Sequence, residues 1–188
     1  METDTKTALL NAAEEMVRTR GYDAFSFADL AARVDIRKAS VHYHYPSKAD
    51  LSEALIAGYH KRVSEHCAEM SRTAPSAAAK LKALMSFYRD AAGDGECLCL
   101  CVSLTTSPAN LPSSVTQRLK GFRTMVTDWI ERVFIDALRD GSVSGVASPK
   151  DEAAAVLALL EGAQLAARPT GSIVPFDAAT ELFRRRLR

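Results

Sequence analysis

Apolar residues recur at intervals of three and four along almost the whole chain, which is the period of an α-helix, and no convincing alternation of a strand appears. A first helix is predicted over 5–19, with Leu9, Ala13, Met16 and Val17 on one face and Gly21 just past its end. Ser26-Phe-Ala-Asp29 has the spacing of a capping box, in which the serine accepts from a first-turn amide and the aspartate reaches back. It predicts a short helix ending near Val34. Ser47-Lys-Ala-Asp50 repeats the device after Pro46 and opens a longer helix to about Arg72. Between the two lie a tight connection at Asp35-Ile36-Arg37 and a short helix over 38–45.

A further helix runs from beyond Pro75 to about Ala92, where Gly93-Asp-Gly95 ends it. Pro108 and Pro112 bracket a loop. The clearest period follows: Val115, Leu119, Phe122, Val126, Trp129, Val133 and Ala137 step by 4, 3, 4, 3, 4 and 4, one continuous buried stripe. Ser148-Pro149 offers a cap with proline at the first helical position, and the helix to about Arg168 is apolar around most of its circumference. A last helix is expected from Asp177, with Ala179, Leu182, Phe183 and Leu187 inward and an arginine cluster near its end. The fold class is therefore all-α, with about nine helices. The composition shifts near residue 48, which divides the chain into a small module, 1–48, and a larger helical domain, 49–188.

Composition changes this picture little. The 188 residues carry 24 basic and 23 acidic side chains, so total charge favours neither nucleic acid nor membrane. Four cysteines, three of them within 97–101, fit free thiols in a reducing compartment better than a disulfide framework. The polar start METDTKTALL lacks a secretory pattern, and the most apolar stretch, Ala153 to Leu160, is too short to span a bilayer. A cytoplasmic protein with no membrane partner is expected.

A short helix, a tight turn and a second short helix rich in hydroxyl, aromatic and basic side chains make the pattern of a helix-turn-helix, with 38–45 as the recognition helix. Ser40, Tyr43 and His44 can donate to phosphates, Ala39 allows close approach to the backbone, and Lys38 and Lys48 supply charge. The stretch GYDAFSFADLAARVDIRKASVHYHYPSKADL resembles the N-terminal signature of the TetR family of repressors. Gly21-Tyr22, Ser26, Asp29-Leu30-Ala31, Lys38, Tyr43-His44-Tyr45 and Ser47-Lys48 carry the resemblance over about the first 55 residues. It implies that Arg37, Lys38, Ser40, His42, Tyr43, His44 and Lys48 face double-stranded operator DNA, and that Ser26 caps the second helix and touches a phosphate. Asp35 stands where the family has glycine in the turn, His42 where it has tyrosine, and Phe25 and Ala28 replace a common threonine and a polar residue. Residues 1–55 hold seven positive and nine negative charges, a net of −2. Affinity for DNA must then come from the local basic edge Arg37, Lys38 and Lys48, and its salt dependence is limited accordingly.

One recognition helix reads few base pairs, so such modules work as symmetric dimers on spaced half-sites. By the same resemblance the helices near 149–168 and 177–187 form a four-helix bundle with those of a second copy, making a homodimer. The remaining helices would enclose a small-molecule effector, with Phe87, Tyr88, Phe122, Met125, Val126, Trp129 and Gln164 as candidate lining, although most such aromatics are ordinary core.

Cys97-Leu-Cys99-Leu-Cys101, with Leu111-Pro112 beyond it, also resembles a TetR subgroup whose sixth helix starts with Cys-Leu-Cys. On an α-helix Cys97 and Cys101 would share a face, able to meet one electrophile or one soft metal, with Cys99 turned away. The break at Gly93-Asp-Gly95 would place Cys97 in a first turn, where exposed amides favour thiolate. The three thiols can equally be small buried hydrophobes. Effector candidates thus include Cys97 and Cys101, and a thiol-based or soft-metal sensor is the alternative to a plain small-molecule repressor. His60 and His66 lie about 240° apart round their helix and form no metal site with His42 and His44. No cofactor or dedicated metal is expected. No nucleophile-base set, glycine-rich phosphate loop or zinc motif points to an enzyme.

Overall fold

The polar residues that punctuate the sequence do set its helix boundaries. In a computed structural model, which describes residues 2–188, nine α-helices follow one another: α1 (Glu2–Arg20), α2 (Phe27–Val34), α3 (Lys38–His44), α4 (Lys48–Thr73), α5 (Ala77–Ala91), α6 (Leu100–Thr105), α7 (Ser113–Asp140), α8 (Pro149–Ala167) and α9 (Val174–Arg184). The described residues form no strand beyond a single bridge between Val143 and Leu187. No helix among them is long and apolar enough to cross a membrane.

The chain divides into two units. The first runs to Lys61 and takes in Leu100–Gly121; the second comprises Arg62–Cys99 and Phe122–Arg188. The expected division near residue 48 falls inside the first. Helices α4 and α7 are each shared, their early turns belonging to the first unit and the rest to the second.

In the first unit α1 packs on α2 and α6, and α2 on α3. The stripe Leu9, Ala13, Met16 and Val17 is buried as its spacing predicts, together with Leu30, Val41, Leu51, Leu55 and Ile56. The buried Ser103 hydroxyl donates to the Val17 carbonyl, joining α6 to α1. Burying each large aliphatic side chain is worth roughly 1.5–3 kcal/mol, so this small unit depends on few residues.

In the second unit α8 packs on α9, and α5 packs on both. Along α7 all seven residues of the stripe are buried, Val115 and Leu119 in the first unit and the other five in the second, with Ile130 and Phe134 beside those five. The first amides of α5 are capped from the end of α7: Ala77 N–H donates to Asp140 at 2.8 Å and Ala78 N–H to Ser142 at 2.9 Å. The chain end is clasped in turn. Arg186 donates to the Ser144 and Gly145 carbonyls and forms a two-toothed pair with Glu152 at 2.6 and 3.0 Å.

Two expectations about the later helices change. Helix α9 starts at Val174, with Pro175 in its first turn, rather than at Asp177. Its inward face is Phe176, Thr180 and Phe183, while Ala179 is exposed and Leu182 is 76% exposed, because the helix packs on α8 through a narrower face than its apolar content suggests. The cysteine segment is not helical throughout: Cys97, Leu98 and Cys99 precede α6, which begins at Leu100. The shared face of Cys97 and Cys101 required one helix through both, and that helix does not exist.

Candidate nucleic-acid interface

Both ends of the helix-turn-helix are fixed by side chains adjacent in sequence. Ser26 N–H donates to the Asp29 carboxylate at 2.7 Å, and Asp29 N–H donates back to the Ser26 hydroxyl at 3.3 Å, so the predicted capping box is complete. The Ser26 hydroxyl also donates to the Asp29 carboxylate at 2.7 Å, and this bond first, with the backbone bond second, holds the Asp29 carboxyl below its ordinary value. Ser47 and Asp50 form the same pair ahead of α4, at 2.9 and 3.2 Å. The turn between α2 and α3 is made by Asp35 in the left-handed conformation, φ 57° and ψ 50°, with its N–H on the Ala31 carbonyl. Aspartate tolerates this region better than most non-glycine residues, which explains how the turn closes without the glycine.

Helix α3 buries Val41, followed by Tyr45 just beyond its end, and turns its remaining side chains outward. Arg37, Lys38, Ala39 and His42 are exposed, Ser40 and His44 half-buried, and Tyr43 is 73% exposed with its ring edge-on to His44 at 5.2 Å. Ser26 is exposed at the start of α2. A short helix that presents two adjacent cations, an aromatic hydroxyl and two imidazoles beside a small residue has the donors that phosphates and base edges require.

Two of these residues also make contacts that spacing alone could not show. Lys48 donates to the Tyr22 carbonyl at 2.6 Å and the Phe25 carbonyl at 2.8 Å, and its ammonium lies 4.4 and 4.2 Å from the centres of those two rings. Desolvation there pushes its pKa down, opposed by the charges of Asp23 and Asp29. The ammonium therefore ties the start of α4 to the loop between α1 and α2. His42 sets its ring against Phe27, 4.9 Å between centroids, with Nδ1 3.2 Å from the Pro46 carbonyl.

The candidate effector residues distribute unevenly. Tyr88, Phe122, Val126, Trp129 and Gln164 are buried in the second unit, where Phe87, Met125 and Cys97 are half-buried; Cys101 is buried in the first. Phe87 stacks on His66 at 4.8 Å and meets Tyr88 edge-on at 5.9 Å. Trp129 donates from Nε1 to the Ser71 hydroxyl at 2.9 Å and borders a surface groove of about 360 Å³ with Arg132 and Val133. A second groove, about 430 Å³, runs over Met85 and Phe176 between the charged side chains of α5 and α9. Gln164 is fully buried and bridges two backbones: its amide donates to the Tyr88 carbonyl at 2.6 Å and its oxygen accepts from Cys99 N–H at 2.9 Å. Cys67, Cys99 and Cys101 are buried, and burial pushes the Cys67 thiol up to about 11. No cluster of three or more His, Cys, Asp or Glu among the described residues is gathered to hold a metal.

Residues 9–55 match the family model of bacterial regulatory proteins of the tetR family. A search of curated proteins finds no match. Among solved structures the whole chain superposes on a transcriptional regulator of the TetR family from Agrobacterium tumefaciens, with TM-score 0.92, 26% identity and 100% and 99% of the two chains covered. A TetR transcriptional regulator from Legionella pneumophila follows at TM-score 0.83 and 25% identity, covering 96% of each chain. The regulatory protein TetR from Rhodobacter sphaeroides shares the fold at TM-score 0.87 and 22% identity, with 97% and 98% covered.

Proposed function

Because this chain is a TetR-family transcriptional regulator, we propose that it acts in the cytoplasm as a homodimeric repressor that holds a palindromic operator and releases it when a small molecule occupies the second unit. The observation that carries the DNA-binding half is the exposed face of α3. Arg37, Lys38 and Tyr43 project from α3, which is set between two helices, α2 and α4, that each start in a capping box, so its backbone is in place before DNA arrives. Ser26, Ser40, His42 and His44 complete the contact set, while Lys48, its ammonium held on the Tyr22 and Phe25 carbonyls, positions the start of α4 beside them.

The dimer half rests on the outer faces of α8 and α9. Ala155, Ala158, Gly162 and Leu165 on α8 and Ala178, Ala179 and Leu182 on α9 are exposed small or apolar residues, and a groove of about 280 Å³ lies between the two helices over Ala155, Leu159, Ala179 and Leu182. Apolar helix faces of this kind are covered when the same two helices of a second copy pack across a two-fold axis. Release would follow from population shift. An effector that prefers the state with wrongly spaced recognition helices by about 100-fold supplies about 2.7 kcal/mol against DNA binding. Helix α4, which follows the recognition helix and is shared between the two units, is a covalent element through which such a change would pass, as is α7.

A thiol-sensing form of the same mechanism rests on one observation: of the four cysteines only Cys97 is not buried. It would show as loss of operator binding on treatment with a quinone or peroxide, abolished by Cys97→Ser.

The deciding experiment selects operator sequences from random duplex DNA and measures gel shifts of the wild type and of Lys38→Ala with Tyr43→Ala. The expected result is a palindromic consensus bound by the wild type and lost in the double variant. Enrichment of no sequence at low salt would sink the reading.

A further inference from the structure

His42 occupies the position where the resemblance expects tyrosine, and its surroundings define its chemistry more closely than its exposure does. Its Nδ1 lies 3.2 Å from the Pro46 carbonyl, one turn further along. A carbonyl oxygen only accepts, so Nδ1 carries the hydrogen. The Phe27 ring, 4.9 Å away and tilted by 62°, holds the imidazole in this orientation from the side of α2. In the neutral ring Nε2 is then a bare lone pair, an acceptor; only protonation turns it into a donor.

The polar atoms on the outer surface of a DNA duplex are mostly acceptors: phosphate oxygens, and N7 and O6 of guanine in the major groove. A neutral His42 fixed in this tautomer meets them lone pair to lone pair. We infer that His42 engages the operator as the imidazolium, donating from Nε2 to a DNA acceptor, so that each subunit takes up one proton as it binds. The inference rests on the DNA-binding reading above and adds to it a proton that a tyrosine at this position would not require.

The charged groups around His42 leave room for that proton. On α2, Asp29 is bonded to Ser26 and Arg33 is paired with Glu15 of α1 at 3.0 Å. On α3 itself Lys38 stands one turn earlier, and Tyr43 and His44 stack on one another. Beyond α3, Asp50 is held by Ser47 and Lys48 by the Tyr22 and Phe25 carbonyls. The described bonds of these carboxylates run to other partners, so the new negative partner of the imidazolium comes from DNA.

Linkage fixes the sign. DNA raises the proton affinity of His42, so operator affinity is full at low pH and is lost as pH rises through the value His42 has in the complex. The limit is tenfold per pH unit for each subunit, and a hundredfold for a dimer whose two sites titrate together. The test measures the dissociation constant of the selected operator from pH 5.5 to 8.5 at constant ionic strength, for wild type, His42→Gln, His42→Tyr and His44→Gln. Affinity of the wild type and of His44→Gln should fall with pH, while both His42 variants should give flat profiles. A flat wild-type profile, or a slope that survives in both His42 variants, overturns the inference. Absence of binding by any protein at any pH would instead overturn the DNA-binding reading.

Modified operators locate the acceptor. If 7-deazaguanine, which lacks N7, or 2-aminopurine, which lacks O6, removes the slope at a single guanine position, the acceptor is a base edge. If a single methylphosphonate removes it, the acceptor is a phosphate. A slope that persists through every such substitution excludes a direct contact and overturns the proposal.

Discussion

Tyr45 carries its phenol into the first unit's core, 3% exposed, and among the described residues its hydroxyl is the one buried side-chain polar atom without a hydrogen-bond partner. Burial alone pushes its pKa up, as expected for a group that would have to ionise away from water. A buried hydroxyl left unbonded costs about 1–3 kcal/mol, so Tyr45→Phe should stabilise the protein by about 1 kcal/mol and raise its melting temperature in calorimetry. The Lys48 ammonium is the opposite case, a cation with two carbonyls and two ring faces. Lys48→Met should lower stability in denaturant titrations by about 1–2 kcal/mol even without DNA, a loss that a purely DNA-facing lysine would not show. Asp29 gives a pH dependence of known sign. Its carboxyl is held below the ordinary 3.8 in the folded protein, so its contribution is complete above that value and disappears as pH falls through the lowered one. The difference in melting temperature between wild type and Asp29→Ala should therefore close in acid; a gap that stays constant to low pH would contradict the capping role.

Between elements, the second unit relies on two close junctions. Gly95, at φ +89°, passes so near Ser172 that a Cβ there would meet its backbone nitrogen at 2.5 Å. Both the conformation and the space exclude a side chain, and Gly95→Ala should cost about 3 kcal/mol or prevent folding, read by denaturant unfolding. Gln164 is the other junction, and Gln164→Leu would remove both of its buried bonds, to the Tyr88 carbonyl and from the Cys99 amide, a loss of about 2–4 kcal/mol. The elements themselves were largely legible in the sequence where their signals are local. Ser26 with Asp29, Ser47 with Asp50, Ser148 with Pro149 and the stripe from Val115 to Ala137 each combine a cap or a period within one helix. Helix α9 escaped at its start because Ile173, its cap, makes no side-chain bond and so leaves no polar mark. Lys48, Gln164 and the ring of His42 have roles set by residues that meet only after folding, which no spacing encodes.

For the molecule as a whole, the exposed apolar residues on α8 and α9 are the main statement about assembly. Leu182, 76% exposed, borders one groove with Ala155, Leu159 and Ala179, and Leu165 on α8 is 45% exposed, so it is the patch rather than either leucine that argues for a covering partner. Leu182→Glu should give monomers in light scattering with helical content unchanged, and should weaken operator binding because one recognition helix alone covers a single half-site. Dimer mass retained in this variant and in Leu165→Glu would place the interface elsewhere. The helical period marks Leu182 as apolar, but period alone does not say what covers it: an apolar residue can be turned from water by another copy as well as by its own chain. Gln164 belongs to the same helix as that outer face, and this makes the Cys99 amide a built-in observer. With only four cysteines in the chain, selective nitrogen-15 labelling of cysteine reduces the amide spectrum to four signals. The Cys99 signal should exchange slowly with deuterium for as long as α8 keeps its glutamine in place, and any disturbance of α8 should appear there as a shift or a faster exchange.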